Sequence, residues 1–126
     1  MAKTTNTALA TEQKLEQASI FCPYSKLLEV LGKPHTLEIV YGLTIRSPLR
    51  FTQIQKELKL QPKTLTARMK ELVKLGLVAR TSYNEIPPRV DYELTQKGRD
   101  LDGMFKALNA WARKYNYVEQ HKERMR

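Results

Sequence analysis

Apolar and polar positions along the 126-residue chain follow a helical period first, a strand period later, and a helical period again towards the end. Pro23 fits a first helical turn, and Tyr24 to Leu31 predicts a short helix that Gly32 stops ahead of Lys33-Pro34. Thr36 stands where an N-cap is needed for a second helix reaching about Ile45, with Leu37, Val40, Tyr41 and Leu43 or Thr44 turned inward. Ser47-Pro48 breaks that helix. Leu49 to Phe51 predicts a short extended piece, and Thr52 caps a helix through Leu58 in which Ile54 and Leu58 share a face. After a tight break at Lys59 to Gln61, Pro62 fits the first position of a longer helix, 62–75, and Gly76 the left-handed position after its end.

The phase of that longer helix gives it two unlike sides. At about 100° per residue, Leu65, Met69, Leu72 and Leu75 gather on one side, while Lys63, Ala67, Lys70 and Lys74 gather on the other, flanked by Thr64, Thr66 and Arg68. Charge sharpens the picture. The 35 residues from Arg46 to Arg80 hold nine Lys and Arg against Glu57 and Glu71 alone, so they supply +7 of the chain's +9. Two helices joined by a short turn, basic side chains outward, predict a helix-turn-helix that holds DNA phosphates and offers one helix to a groove.

Beyond Gly76, the segments 77–83 and 89–94 both alternate apolar with polar, the period of half-buried strands. Asn84 to Pro88 joins them, too long for a two-residue turn and stiffened by two prolines into a projecting loop. Thr95 then caps one long final helix, Gln96 to about Tyr117, carrying Leu101, Met104 or Phe105, Leu108, Trp111, Ala112 and Tyr115 at spacings of three and four. That stripe exceeds what a small core needs, so part of it is expected to meet a second copy of the chain. The fold class is mainly α with a small β-hairpin. A flexible segment 1–18, one domain over 19–118 and a flexible charged tail 119–126 complete the expected organisation.

Composition excludes several function classes. No run of about 18 apolar residues suggests a membrane span, and the N-terminus lacks the apolar centre of a secretory signal, so a cytoplasmic location is expected. A single cysteine, Cys22, excludes an internal disulfide and a cysteine-based zinc finger. His35 and His121 are far apart, no nucleophile elbow or phosphate-cradling loop occurs, and Asp100 and Asp102 fall on different sides of a helix. No enzyme, metal site or cofactor is predicted. Net charge of +9 with a pI near 9.8 calls for an acidic partner, and the helix-turn-helix pattern favours nucleic acid over a membrane surface.

The wording at the joints narrows this. Cys22-Pro23, Arg50-Phe51, the run 65–72 (Leu-Thr-Ala-Arg-Met-Lys-Glu-Leu), the run 76–80 (Gly-Leu-Val-Ala-Arg), and the run 87–95 (Pro-Pro-Arg-Val-Asp-Tyr-Glu-Leu-Thr) followed by Gly98 resemble the HxlR-type winged helix-turn-helix regulators over about Phe21 to Trp111. The resemblance implies a winged helix-turn-helix domain with N- and C-terminal dimerisation helices. It implies a homodimeric transcription regulator, more often a repressor than an activator, on a near-palindromic operator. One departure is His35, where the family commonly carries tryptophan; the smaller, more polar ring alters packing of the N-terminal helices without touching DNA contacts.

On this reading Lys63, Thr64, Thr66, Ala67, Arg68 and Lys70 enter or border the major groove, Arg50, Lys59 and Gln61 reach phosphates or the groove edge, and Arg89 extends from the wing, 84–89, towards the minor groove. Lys and Arg carry affinity, whereas Thr64, Arg68 and Gln61 carry sequence choice. The expected dimer interface is Leu101, Met104, Phe105, Leu108, Trp111 and Tyr115. Alternatives stay open at several positions. Arg68 could instead brace Glu71 or Glu57; Tyr83 and Tyr92 are read as strand packing residues rather than base-stacking platforms; the aromatics near Trp111 could hold an apolar ligand. Cys22 is either a sensor of oxidants or electrophiles, as in some relatives, or a small packing residue. For the whole chain, a low-specificity nucleoid-type DNA binder and a winged-helix protein interaction module are the rival functions.

Overall fold

A computed structural model of the protein describes residues 22–119, which divide between Pro34 and His35 into two units. The expected flexible segment 1–18, and the tail 119–126 apart from Glu119, lie outside the described residues. The first unit carries α1 (Ser25–Leu31), one residue shorter than predicted because Tyr24 stands at its N-cap. Tyr24, Leu27 and Leu28 are exposed on it and Leu31 is buried.

In the second unit, α2 (Thr36–Ile45) leads through β1 (Leu49–Arg50) into α3 (Phe51–Leu58) and α4 (Pro62–Lys74). The hairpin β2 (Val78–Tyr83) and β3 (Arg89–Leu94) follows, then α5 (Gln96–Arg99) and α6 (Asp102–Lys114). The peptide bonds before Pro48 and Pro87 are cis. The core gathers Ile39, Val40 and Leu43 of α2, Ile54 of α3, Leu65, Met69 and Leu72 of α4, Leu77, Val78, Tyr92 and Leu94 of the sheet, and Phe105 of α6. Of the inward stripe predicted for α4, Leu65, Met69 and Leu72 are buried, while Leu75 is half-buried at the C-cap, one residue past the helix. For α2 the stripe is shifted: Ile39 is buried where Tyr41 was expected, and Tyr41 lies half out, edge-on to Phe105 at 5.3 Å.

Of three predicted caps, two differ. Thr36 does not cap α2; it is the first helical residue, its side chain fully buried, and His35 takes the N-cap at φ 72°. His35 Nδ1 lies 2.8 Å from Glu38 Oε1. Thr52 does not cap α3, because Phe51 is already helical, its ring packed 6.4 Å from that of Tyr92. Gln53 serves the entry instead, its Oε1 accepting from the Arg50 N–H at 2.8 Å. Thr95 does cap, accepting from the Gly98 N–H at 3.1 Å.

The extended piece at Leu49–Arg50 becomes a third strand. It pairs antiparallel with β3, Leu49 opposite Tyr92 and Arg50 opposite Asp91, giving the order β1-β3-β2. The hairpin runs in register from Val78 opposite Leu94 to Tyr83 opposite Arg89. The final helix is two, not one. Close packing of Gly98 on Leu77 fixes the course of α5, while Phe105 against Tyr41 fixes that of α6. The helix is interrupted at Asp100-Leu101, where the Leu101 N–H bonds back only three residues, to Gly98 O at 3.1 Å. At the far end Asn116 adopts φ 63° and the Tyr117 N–H bonds Ala112 O at 2.7 Å, so the helix stops three residues early and Tyr117 stacks back on Trp111.

Candidate nucleic-acid interface

The turn and the recognition helix are built by local rules. α3 ends as Lys59 takes the left-handed conformation, φ 55°, and the Leu60 N–H bonds Gln55 O at 3.2 Å. Gln61 is the N-cap of α4, extended at ψ 140°, and Pro62 supplies the first helical residue, where its missing N–H costs nothing. Gly76, at φ 80°, closes the other end: its N–H bonds Val73 O at 2.9 Å and the Leu77 N–H bonds Leu72 O at 3.0 Å. This paired closure needs a left-handed residue, which glycine provides without a Cβ clash.

With Leu65, Met69 and Leu72 held in the core, the opposite side of α4 presents Lys63, Thr66, Ala67, Lys70 and Lys74, all exposed. Arg50, Lys59 and Gln61 are exposed beside the turn, as are Arg46, Lys56 and Arg80, which the sequence reading did not single out. Among the described residues none of Lys63, Lys70, Lys74, Arg50 or Lys59 forms an ion pair. A cationic surface without internal neutralisation attracts polyanions over roughly a Debye length, about 8 Å at physiological salt.

The predicted sequence readers are placed less openly. Thr64 is half-buried. Arg68, with its side chain 18% exposed, donates from Nη1 to Glu71 Oε1 at 3.2 Å, the bracing contact named above as its alternative. Arg89, expected to reach from the wing towards the minor groove, lies along the hairpin, its guanidinium carbon 3.9 Å from the Tyr83 ring centroid. Its Nη1 is 3.8 Å from Glu85 and its Nε 3.5 Å from Asp91. Its pKa is raised from the ordinary arginine value, chiefly by a hydrogen bond with the Tyr83 side chain and then, against burial, by the charges of Glu85 and Asp91. Two facing carboxylates and an aromatic face outweigh solvation for a side chain that leaves the surface only in part.

What the wing offers in its place is Ile86, 101% exposed at the tip. The only sequence signal for it was an apolar residue inside a proline-rich connection. On α6 the expected interface residues separate. Phe105 goes to the core and Leu101 is half-buried, whereas Met104, Leu108, Trp111 (53% exposed) and Tyr115 form an outward apolar row. Trp111 and Tyr115 have ring centroids 5.4 Å apart. Cys22 is half-buried in the first unit.

Among the described residues no group of three or more His, Cys, Asp and Glu is placed to hold a metal, and no helix is long and apolar enough to cross a membrane. A shallow depression of about 500 Å³ is lined by Leu43, Thr44, Ile45, Ser47, Leu94, Arg99 and Asp102. Tyr92 is buried in the sheet and Tyr83 lies under Arg89, so both serve packing.

Comparison with known proteins agrees with this architecture. The family described as HxlR-like helix-turn-helix matches residues 30–121. The HTH-type transcriptional regulator BH0655 of Halalkalibacterium halodurans is 33% identical over 90 residues, which are 71% of this chain and 80% of that protein. The crystal structure of the HTH-type transcriptional regulator ytcD shares 32% identity at a TM-score of 0.68, covering 75% of this chain and 96% of that one. The reduced form of the regulator YodB from Bacillus subtilis shares 34% identity at a TM-score of 0.63, covering 73% and 91% respectively; YodB is also solved in quinone-bound form. The chain thus belongs to the HxlR-like helix-turn-helix family, and it is a DNA-binding transcriptional regulator, not an enzyme.

Proposed function

We propose that the protein is a cytoplasmic homodimer that binds a near-palindromic operator with α4 of each protomer in successive major grooves, and that it acts as a repressor. The observation that carries this reading is the cationic side of α4, which forms no ion pair among the described residues: Lys63 and Lys70 flank Ala67, whose small side chain lets the helix axis approach base edges. The outward row Met104, Leu108, Trp111 and Tyr115, spaced four, three and four, supports self-association through α6, since an apolar stripe of this period fits a second helix. The wing meets the minor groove through Ile86, while Arg89 neutralises Glu85 and so removes a carboxylate that would repel phosphate.

A competition shift assay of the protein's own promoter region against random DNA at physiological salt tests it. Specific binding that weakens about 10³- to 10⁵-fold between 50 and 200 mM salt is expected for six to ten neutralised phosphates. Equal affinity for both DNAs assigns the second reading, a low-specificity binder, which the lysine-rich face and the Arg68 to Glu71 pair favour. Loss of the protein should raise expression of the bound genes if it represses. Operator affinity before and after alkylation, with Cys22→Ser as control, decides between a sensor thiol and a packing one; an unchanged affinity assigns packing.

A further inference from the structure

The end of the recognition helix is fastened to the start of the last helical segment by bonds that a DNA-binding surface does not itself require. A helix leaves its final carbonyls without partners inside the helix. In α4 the paired closure at Gly76 uses Leu72 and Val73, and the carbonyls of Leu75 and Gly76 are taken by the next element but two. Lys97 Nζ donates to Leu75 O at 2.9 Å, and Thr95 Oγ1 donates to Gly76 O at 2.5 Å. The same Thr95 oxygen accepts the Gly98 N–H at 3.1 Å, so one hydroxyl joins the C-terminus of α4 to the N-terminus of α5. The Thr95 N–H adds a bond to Leu77 O at 3.1 Å. Asp100 and Leu101, between α5 and α6, keep helical dihedrals, φ −68° and −75°, so the fastening continues into α6 without a flexible residue.

We propose that Lys97, working with Thr95, is a positioning residue that makes the orientation of α4 follow that of α5 and α6, and thereby sets the separation of the two recognition helices in the dimer. This rests on the homodimeric reading above. Lys97 is exposed, so water would satisfy the Leu75 carbonyl in its absence and stability gives little reason for the bond. Water cannot supply direction. An ammonium at the negative end of the α4 dipole, its stem lying 3.6 Å from where a Cβ on Gly76 would stand, holds the helix end from one side only.

The test uses the full-length chain and operators whose half-site spacing is changed by one or two base pairs either way, with melting and salt dependence measured in parallel. Wild type should show one spacing optimum. Lys97→Ala should melt as wild type does, lose about 2- to 30-fold of affinity at that optimum, and discriminate less between spacings. Its slope of log affinity against log salt should not change, and Lys97→Arg should restore the optimum. An unaltered spacing profile in Lys97→Ala overturns the proposal. So does an equal loss at every spacing with the slope reduced by about one per protomer, which makes Lys97 a phosphate contact. Wild-type binding without any optimum overturns the homodimeric reading and this proposal with it.

Discussion

Gly98 and Gly103 stand five residues apart in the last helical segment, and the same substitution should move stability in opposite directions. A Cβ on Gly98 would lie 2.3 Å from Leu77 O and 2.8 Å from Leu94 Cδ2. The oxygen belongs to the backbone and itself accepts the Thr95 N–H, so it cannot swing aside as a side-chain terminus would. Overpacking of this kind costs about 1–3 kcal/mol, and a contact with main chain belongs at the upper end. Against it stands the better helix propensity of alanine, about 1 kcal/mol at most. Gly98→Ala is therefore expected to lose about 2 kcal/mol, or roughly 8–16 °C of Tm for a domain of this size. Around Gly103 nothing lies within 4 Å of the added carbon, and Gly103→Ala should gain a few tenths to about 1 kcal/mol. Far-ultraviolet circular dichroism followed through heat and urea, at one fixed protein concentration because association would shift Tm, gives both numbers. Two variants that shift Tm the same way, or a Gly98→Ala protein as stable as wild type, would refute the argument from close approach.

Thr36 carries a fully buried hydroxyl with no hydrogen-bond partner among the described residues, so Thr36→Val should raise stability by about 1 kcal/mol, seen as a higher urea midpoint at constant m; a lower midpoint contradicts the assignment. Lys59 holds a left-handed conformation that costs a side chain about 1–2 kcal/mol, part of which glycine returns in unfolded-state entropy. Lys59→Gly should thus melt a few degrees higher yet bind DNA more weakly, with a shallower salt slope, and a fall in both would refute the reasoning. Ile86→Ala should leave melting and the salt slope unchanged while costing about 1–2 kcal/mol in operator affinity; equal affinity would take the wing tip out of the interface.

The sequence was most legible where one residue type had one physical use. Pro62 and Gly76 bounded α4, and the spacing of Leu65, Met69 and Leu72 fixed which side faces inward, because a helix phase follows from the covalent geometry. The hairpin followed likewise from its period of two. Legibility failed where a contact distant in sequence made the choice. Phe51 enters its helix early because Tyr92 packs on it, 41 residues on, and Thr36 turns its hydroxyl into the core because the apolar face of α2 continues through it. The break at Asp100-Leu101 had no local signal stronger than Gly98 and Gly103, which are tolerated in helices. For the interface, exposure of the lysines could be read from phase alone. The retraction of Arg89 depended on Tyr83, Glu85 and Asp91 converging across a hairpin, which no pattern of apolar spacing reports.

Of the nine Lys and Arg between Arg46 and Arg80, eight are exposed and form no ion pair among the described residues, whereas Arg68 is paired with Glu71. General affinity for phosphate is thus built in, whereas base reading by Arg68 must compete with Glu71. The magnitudes favour the base. A pair of this kind three residues apart on one helix contributes about 0.2–1 kcal/mol, while a bidentate arginine to guanine contact discriminates by about 1–3 kcal/mol. On these magnitudes exchange of Glu71 for a guanine edge is expected to be downhill. Glu71→Gln should tighten operator binding several-fold and keep the base preferences, as the competing charge is gone and the amide still accepts a hydrogen bond. Arg68→Ala should lose preference at one base pair per half-site. Should Arg68→Ala instead weaken binding to every single-base variant of the operator equally, Arg68 braces the helix and the choice of sequence falls to Gln61 and Thr64.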